Sequence, residues 1–272
     1  MLVRELERAL LAAFPRQNAE SWDHVGLSVG EPDAEVAGVA IALDATVRSI
    51  EETLAAGANV LVTHHPVYLK APDAFTPPAP ERPSSSAVIY AAARQGVSVI
   101  SLHTNLDRSR EARELLCALI GGTSAGSLEH PDDADAPGLG AICELPDTVT
   151  LGELAANCAD RFGGAPRVWG APETPVRRIG ILGGSLGSFG EDAIALGAQA
   201  IVCGEAGYHV CQDLAARGCP PILLGHDRSE EPFGAILMNA VIHAGVDAAC
   251  VRRITHPDQW WTVSTGNEQE RS

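Results

Sequence analysis

The sequence predicts an α/β fold built from two similar lobes, and three observations carry that prediction. Short apolar runs alternate with helical stretches along most of the 272 residues, the order expected of parallel strands joined by crossover helices. Those runs are apolar throughout, as in Val60-Leu61-Val62 of NVLVTHHPVY (59–68), which suits strands buried on both faces. The pattern also repeats: a shift of 140 aligns Val39-Ala40-Ile41 with Ile179-Gly180-Ile181, Glu51 with Glu191, Gly57-Ala58 with Gly197-Ala198, Val62 with Val202 and Tyr68 with Tyr208. A repeat of that kind implies an internal duplication.

Taken in order, residues 3–14 place Val3, Leu6, Leu10 and Phe14 at helical spacing, and Pro15 ends the helix. SWDHVGLSVG (21–30) reads as a loop buried through Trp22 and Leu27, with Asp23 and His24 as supporting polar groups or simple loop caps. Val39–Leu43 is a strand and 47–56 a helix closed by Gly57. Pro66 lacks an N–H and holds His65 extended, so the strand before it stops there. Residues 72–86, rich in Pro and Ser, form a surface loop. A helix over 86–95, a strand over 97–102 and a helix over 110–120 complete the first lobe.

The polar stretch 121–138 is the expected boundary, giving lobes of 1–125, with the two histidines and HTNLD, and 126–272, with GEAGYH and GHDRSE. The second lobe reads strand-helix-strand over 139–170, then strand 178–182, a Gly/Ser loop at 183–188 and a helix over 189–196. Strand 199–203, helix 210–217, strand 221–224, helix 232–244 and a strand near 248–254 follow, and the tail after Thr262 is expected to fray.

A net charge of −16 argues against nonspecific binding to nucleic acid or anionic membranes. No stretch has the uninterrupted apolar core of a signal peptide or a membrane span. Seven scattered cysteines make no disulfide framework, Cys203, Cys211 and Cys219 read as small core residues, and a reducing cytoplasm is the expected compartment.

The chemistry gathers at strand ends, where open α/β sheets carry their sites. His64 and His65 follow one strand and, pointing to opposite sides, suit two neighbouring ions better than one. His103 and Asp107 follow the next strand. The repeat sets Glu205 opposite His65 and HDRSE (226–230) opposite HTNLD (103–107). Two facing lobes would bring His64, His65, His103, Asp107, Glu205, His226 and Glu230 into one cleft. Imidazole with carboxylate and no thiolate suits Zn, Mn, Fe or Ni.

Those motifs resemble a known family. WDHVGL, LDAT, THHP, HTNLD, GGSLGSF, GEAGYH and GHDRSE run in the order seen in the Nif-three-like dinuclear-metal family, whose members are widely named GTP cyclohydrolase I type 2 homologues. The resemblance spans nearly the whole chain and fits the short form, without an inserted middle domain. It implies two lobes around a dinuclear metal centre and a homohexamer built as a trimer of dimers. It further implies His64, His65, Asp107, His226 and Glu230 as ligands to two divalent ions. Glu230 would bridge, with His64 and His226 on one ion and His65 and Asp107 on the other. His24, Leu186 and Asp227 depart from the family pattern, which has Asn, Gly and commonly an aromatic there.

Two functions follow as expectations. The first is a metal-dependent hydrolase acting on a small molecule, possible purine ring opening of GTP included, with His103 as acid–base group and Glu205 next in line. The second is a metal-handling or scaffold protein without hydrolase activity. No Walker A loop is present; Lys70, Arg108 and Arg228 could meet phosphates or be solvated charges, and GGSLGS (183–188) could offer N–H groups to an anion or serve as a tight turn. Trp260 and Trp261 are candidates for a subunit interface or for packing within one chain.

Overall fold

The computed structural model describes residues 1–133, 135–261 and 263. The chain begins with α1 (Val3–Ala13), β1 (Gly26–Val29), β2 (Val39–Ala42), α2 (Val47–Ala55), β3 (Val60–Thr63), α3 (Ser84–Gln95), β4 (Ser98–Ser101), α4 (Thr104–Asp107) and α5 (Arg110–Leu119). It continues with β5 (Thr123–Ser127), β6 (Ala141–Thr150), α6 (Leu151–Phe162), β7 (Arg167–Val168), β8 (Pro175–Ile181), α7 (Phe189–Ala195), β9 (Ala200–Cys203), α8 (Tyr208–Ala216), β10 (Pro221–Leu223), α9 (His226–Glu230), α10 (Phe233–His243) and β11 (Val251–Arg253). Local chemistry explains many of the ends. Thr46 and Thr150 accept from the N–H groups of Ser49 and Glu153 in reciprocal caps, and Gly96 closes α3 in the left-handed region.

Two sheets result, ordered β1-β4-β3-β2-β11 and β5-β6-β8-β9-β10-β7. Each has a parallel run, β11, β2, β3 and β4 in the first and β8, β9 and β10 in the second, that ends in an antiparallel edge strand, β1 on β4 and β7 on β10. The duplication extends to register: Val39 pairs with Val60, and Ile179 with Ala200, the same positions under the 140-residue shift. It also continues one strand further, because the N–H of Leu102 bonds Thr63 O while that of Leu224 bonds Cys203 O. By register, therefore, His103 corresponds to Gly225, and the two His-x-x-x-acid motifs are offset by one residue.

Every residue of β2, β3, β4, β9 and β10 is buried. The largest core cluster includes residues from both sheets, among them Val62, Ile100, Ile179 and Val202, together with Leu6, Leu10, Leu116, Leu154, Phe233 and Leu237 from the helices. The outer faces have their own clusters, one with Ile50 and Val88 and the other with Ala193 and Leu214. Both sheets thus share one apolar layer, and their strand ends meet along one cleft.

Some expectations change. Residues 26–29 are a strand, not a loop, because the edge of β4 offers ladder partners to Gly26 and Leu27. Trp22 is 51% exposed, so it does not bury the preceding loop. The polar stretch 121–138 includes β5, which joins the second sheet through β6, while β11 returns to the first sheet beside β2. The tail after Thr262 lies, Val263 aside, outside the described residues. Cys203, Cys211 and Cys219 are buried and free, as core residues should be. Among the described residues no helix is long and apolar enough to cross a membrane.

Candidate metal centre

The site begins where β3 ends. The N–H groups of His64 and His65 continue the ladder to Ala42 O and Leu43 O, at 3.3 and 2.9 Å. Thr63 Oγ1 reaches His65 O at 2.7 Å and meets Ser101 Oγ at 2.9 Å. The backbone is therefore held when Pro66 forces it out of the sheet. After β4, Asn105 accepts from the His103 N–H and donates to Phe14 O, fixing the turn that carries His103 and Asp107. After β10, Gly225 (φ 102°) turns the chain into α9, whose one-turn spacing sets His226 Nε2 3.2 Å from Glu230 Oε2.

All four histidines are oriented through Nδ1. That atom meets Leu102 O at 3.0 Å in His64, Asp44 at 2.7 Å in His65, Asp23 at 2.9 Å in His103 and Glu205 at 2.9 Å in His226. An acceptor at Nδ1 fixes the ring and leaves Nε2 to face inward, the arrangement found behind metal-bound histidines. The Nε2 atoms then converge. His64 Nε2 lies 3.5 Å from Asp107 Oδ1 and 3.8 Å from Glu230 Oε1, and His65 Nε2 lies 2.8 Å from Glu230 Oε2.

Among the described residues, three groups have donor atoms close enough to hold a metal ion: His64, Asp107 and Glu230; His65, His226 and Glu230; and His64, His65 and His103, each within 4.8 Å. The donor atoms group differently from the pairing implied by the resemblance, His64 with His226 and His65 with Asp107. Neighbouring rings leave the strand in different directions: His64 turns under β4 toward α4, whereas His65 faces α9. Glu230 nonetheless belongs to both groups, presenting Oε1 to His64 and Oε2 to His65 and His226.

Electrostatics favours cations here. His64 is fully buried and His65 partly buried, yet neighbouring carboxylates outweigh the desolvation. Burial lowers His65, but Asp44 and Glu230 push it up to about 10; the bond to Glu230, against burial, lifts His226 to about 9. Burial and the charge of Glu230 raise Asp107, while the bonds from His226 and His65 and the nearby charge of His64 hold Glu230 well below its usual range despite burial. His64 Nε2 and Asp107 Oδ1 are buried without any hydrogen-bond partner, although they are 3.5 Å apart. Leaving buried polar atoms unpaired costs about 1–3 kcal/mol each. A divalent cation is the group that would satisfy both together, so the donor set fits a metal.

The sequence motifs therefore converge, with roles the sequence alone left open. Glu205 lies behind His226, on the side away from the inward-facing Nε2. Asp23 supports His103 and also accepts from the backbone and hydroxyl of Thr104, at 3.0 and 2.5 Å. Burial raises the Asp23 carboxyl, but these bonds bring it well below its usual range. His24 packs on Tyr68 at 4.9 Å and takes no part in the cluster. Gly183 and Gly184 approach Glu230 so closely that a Cβ on Gly184 would lie 2.4 Å from Oε1. The N–H groups of Gly184 and Leu186 in that loop bond Ser229 Oγ and Glu205 O, so it serves as a close-packed turn.

Arg108 is held by Glu20 and Glu129 at 2.6 and 2.8 Å, Arg228 pairs with Asp258, and Lys70 is exposed. Sequence reasoning missed Asp44 as a support for His65, although LDAT included it, because its partner is 21 residues away. It also missed His256, which lies 3.5 Å from both Asp44 and Asp227. A cavity of about 590 Å³ opens beside the centre, reaching from His65 and His226 to Arg167, Asp227, Gln259 and Trp260.

The Duf34/NIF3 (NGG1p interacting factor 3) family model matches residues 1–257. A Streptomyces coelicolor protein named GTP cyclohydrolase 1 type 2 homolog is 34% identical over 240 residues, covering 84% of this chain and 81% of its own length. A Clostridium acetobutylicum protein of the same name is 28% identical over 238 residues, covering 86% and 87%. Among solved structures, a Staphylococcus aureus hypothetical protein superposes with a TM-score of 0.86 at 23% identity, covering 97% of this chain and 99% of its own. A Bacillus cereus protein related to NIF3 gives 0.82 at 19% identity, with the same coverage.

Proposed function

The chain belongs to the Duf34/NIF3 family, and on that premise we propose that it is a dinuclear metal-dependent hydrolase of small molecules, with GTP as the first substrate to test. The observation that carries this reading is Glu230, whose two carboxylate oxygens serve two separate ligand groups. His64 and Asp107 would hold one ion, His65 and His226 the other, and Glu230 would bridge. When bound, two divalent ions supply Lewis acidity and ready a water for attack near neutral pH.

The chain's own groups do the rest. Asp23, Asp44, Glu205 and the Leu102 carbonyl keep the four rings aligned, so no reorientation is needed when substrate arrives. In this reading Glu205 is a positioning residue. Asp23 stays ionised and bonded to His103 Nδ1, so His103 can take a proton at Nε2 while the carboxylate steadies the imidazolium. Purine ring opening is hydrolysis of this kind: water adds to the carbon between two ring nitrogens, and protons pass to the departing amine. A hexameric assembly and a cytoplasmic setting complete the proposal.

His103→Ala tests it. The variant is expected to bind as much metal as the wild type and to lose about 10²–10⁴-fold in GTP turnover. Glu230→Gln, the control, is expected to lose metal as well. Full activity in His103→Ala would remove the acid–base assignment. A metal-loaded wild type that turns over no nucleotide or ester, yet delivers its ions to an acceptor protein, would replace the hydrolase with a metal-handling function.

A further inference from the structure

The cavity beside the metal centre has features the metal chemistry does not use. Its floor is apolar and low, formed by Leu223, Leu224 and Gly225 at the end of β10. The Trp260 indole stands beside Gly225: a Cβ at that glycine would lie 3.4 Å from Trp260 Cζ2, and its φ of 102° disfavours any side chain. Trp260 is 48% exposed, which leaves part of the indole open to the cavity.

The segment before the indole is also held in place. Within it Gln259 donates to Asp44 at 3.3 Å, and Asp258 pairs with Arg228. Asp44 is the residue that orients His65, so the segment carrying Trp260 is linked to the cluster through Gln259. On β7, Arg167 sits in register with Leu223 at the cavity wall and makes no ion pair among the described residues. An exposed indole, an unpaired guanidinium and a carboxylate rim from Asp227 therefore share one space of about 590 Å³, within the range of small-molecule sites.

We propose that this cavity is the substrate's recognition subsite: a planar nitrogen heterocycle stacks on Trp260, and an anionic substituent pairs with Arg167. This rests on the hydrolase reading for its reacting end, since His65 and His226 close the cavity opposite. Stacking on an indole suits any planar base, and a guanidinium gives a phosphate two parallel hydrogen bonds. An aliphatic phosphate or a peptide would leave the indole without a flat partner.

Calorimetric titration of the metal-loaded full chain tests the assignment, with guanosine 5′-monophosphate, guanosine and ribose 5-phosphate as probes. Trp260→Ala is expected to weaken the nucleotide and the nucleoside about tenfold or more, with ribose 5-phosphate unchanged. Trp260→Phe should restore most of the loss. Arg167→Gln should weaken the two phosphates and spare guanosine. Metal content and circular dichroism equal to wild type establish that each variant is folded. The subsite is overturned if Trp260→Ala leaves both guanosine ligands unaffected, or if the wild type binds neither. None of these titrations measures turnover. A chain that binds as expected but hydrolyses nothing keeps the subsite and loses the hydrolase, and a hydrolase indifferent to Trp260→Ala does the reverse.

Discussion

His64 and His65 are adjacent in sequence, yet their rings are oriented by different kinds of partner. A main-chain carbonyl holds the first and a carboxylate, Asp44, holds the second. Removing such a supporting group from a metal-bound histidine typically costs about 10–100-fold in metal affinity. Asp44→Ala is therefore expected to weaken one of the two proposed ions by that factor, because among the proposed ligands only His65 bonds it, and competitive titration with a chelator would read the loss. Equal weakening of both ions would mean the two groups are not separable. At this scale the sequence was informative about donors and poor about their supports. His226 and Glu230 lie a turn apart on a helix and could be paired by spacing alone. Asp44 and His256 act across elements, where only the folded chain decides which groups meet.

Among the elements, the short helix α4 is anchored at its end by an arginine. Arg108 bonds Asn18 O, Glu20 and Glu129, so it joins the segment before β1 to the one after β5. Its side chain is 12% exposed, so the pair with Glu129 is screened less than a surface ion pair. Arg108→Ala is expected to cost about 2 kcal/mol, read as a lower denaturant midpoint. The hydrogen bond from Arg108 lowers Glu129, against burial. A lowered carboxyl stabilises the fold fully above its ordinary value and loses that contribution as pH falls through the lower folded one. The acid limb of a melting-temperature profile should accordingly be shallower in Arg108→Ala than in the wild type. The buried strands β2, β3, β4, β9 and β10 were legible because apolar runs leave little choice. β1 and β5 were not, since each is an edge strand whose identity comes from the neighbour it pairs with.

For the whole molecule, the 140-residue repeat was readable in advance, and the strand registers reproduce it. The one-residue offset between His103 and His226 was not, because a motif match in sequence does not report hydrogen-bond register. The proposed hexamer belongs to this scale. Sedimentation at micromolar concentration is expected to give a mass of six chains, and one or two chains would contradict it. Trp261, 79% exposed, remains a candidate for that contact, whereas Trp260 lines the cavity.

β11 comes from the far end of the described chain, yet it lies against β2 in the first sheet, Val251 beside Val39. α10, just before it, contributes Phe233, Leu237 and Val241 to the layer both sheets share. A chain emerging from the ribosome therefore cannot complete its first lobe when that lobe's own residues have appeared. Val39 to Ala42 must wait, with one flank unpaired, until β11 is synthesised. The two halves descend from one pattern but mature together, and the histidines of the first half gain Glu230 only once the second half has been synthesised.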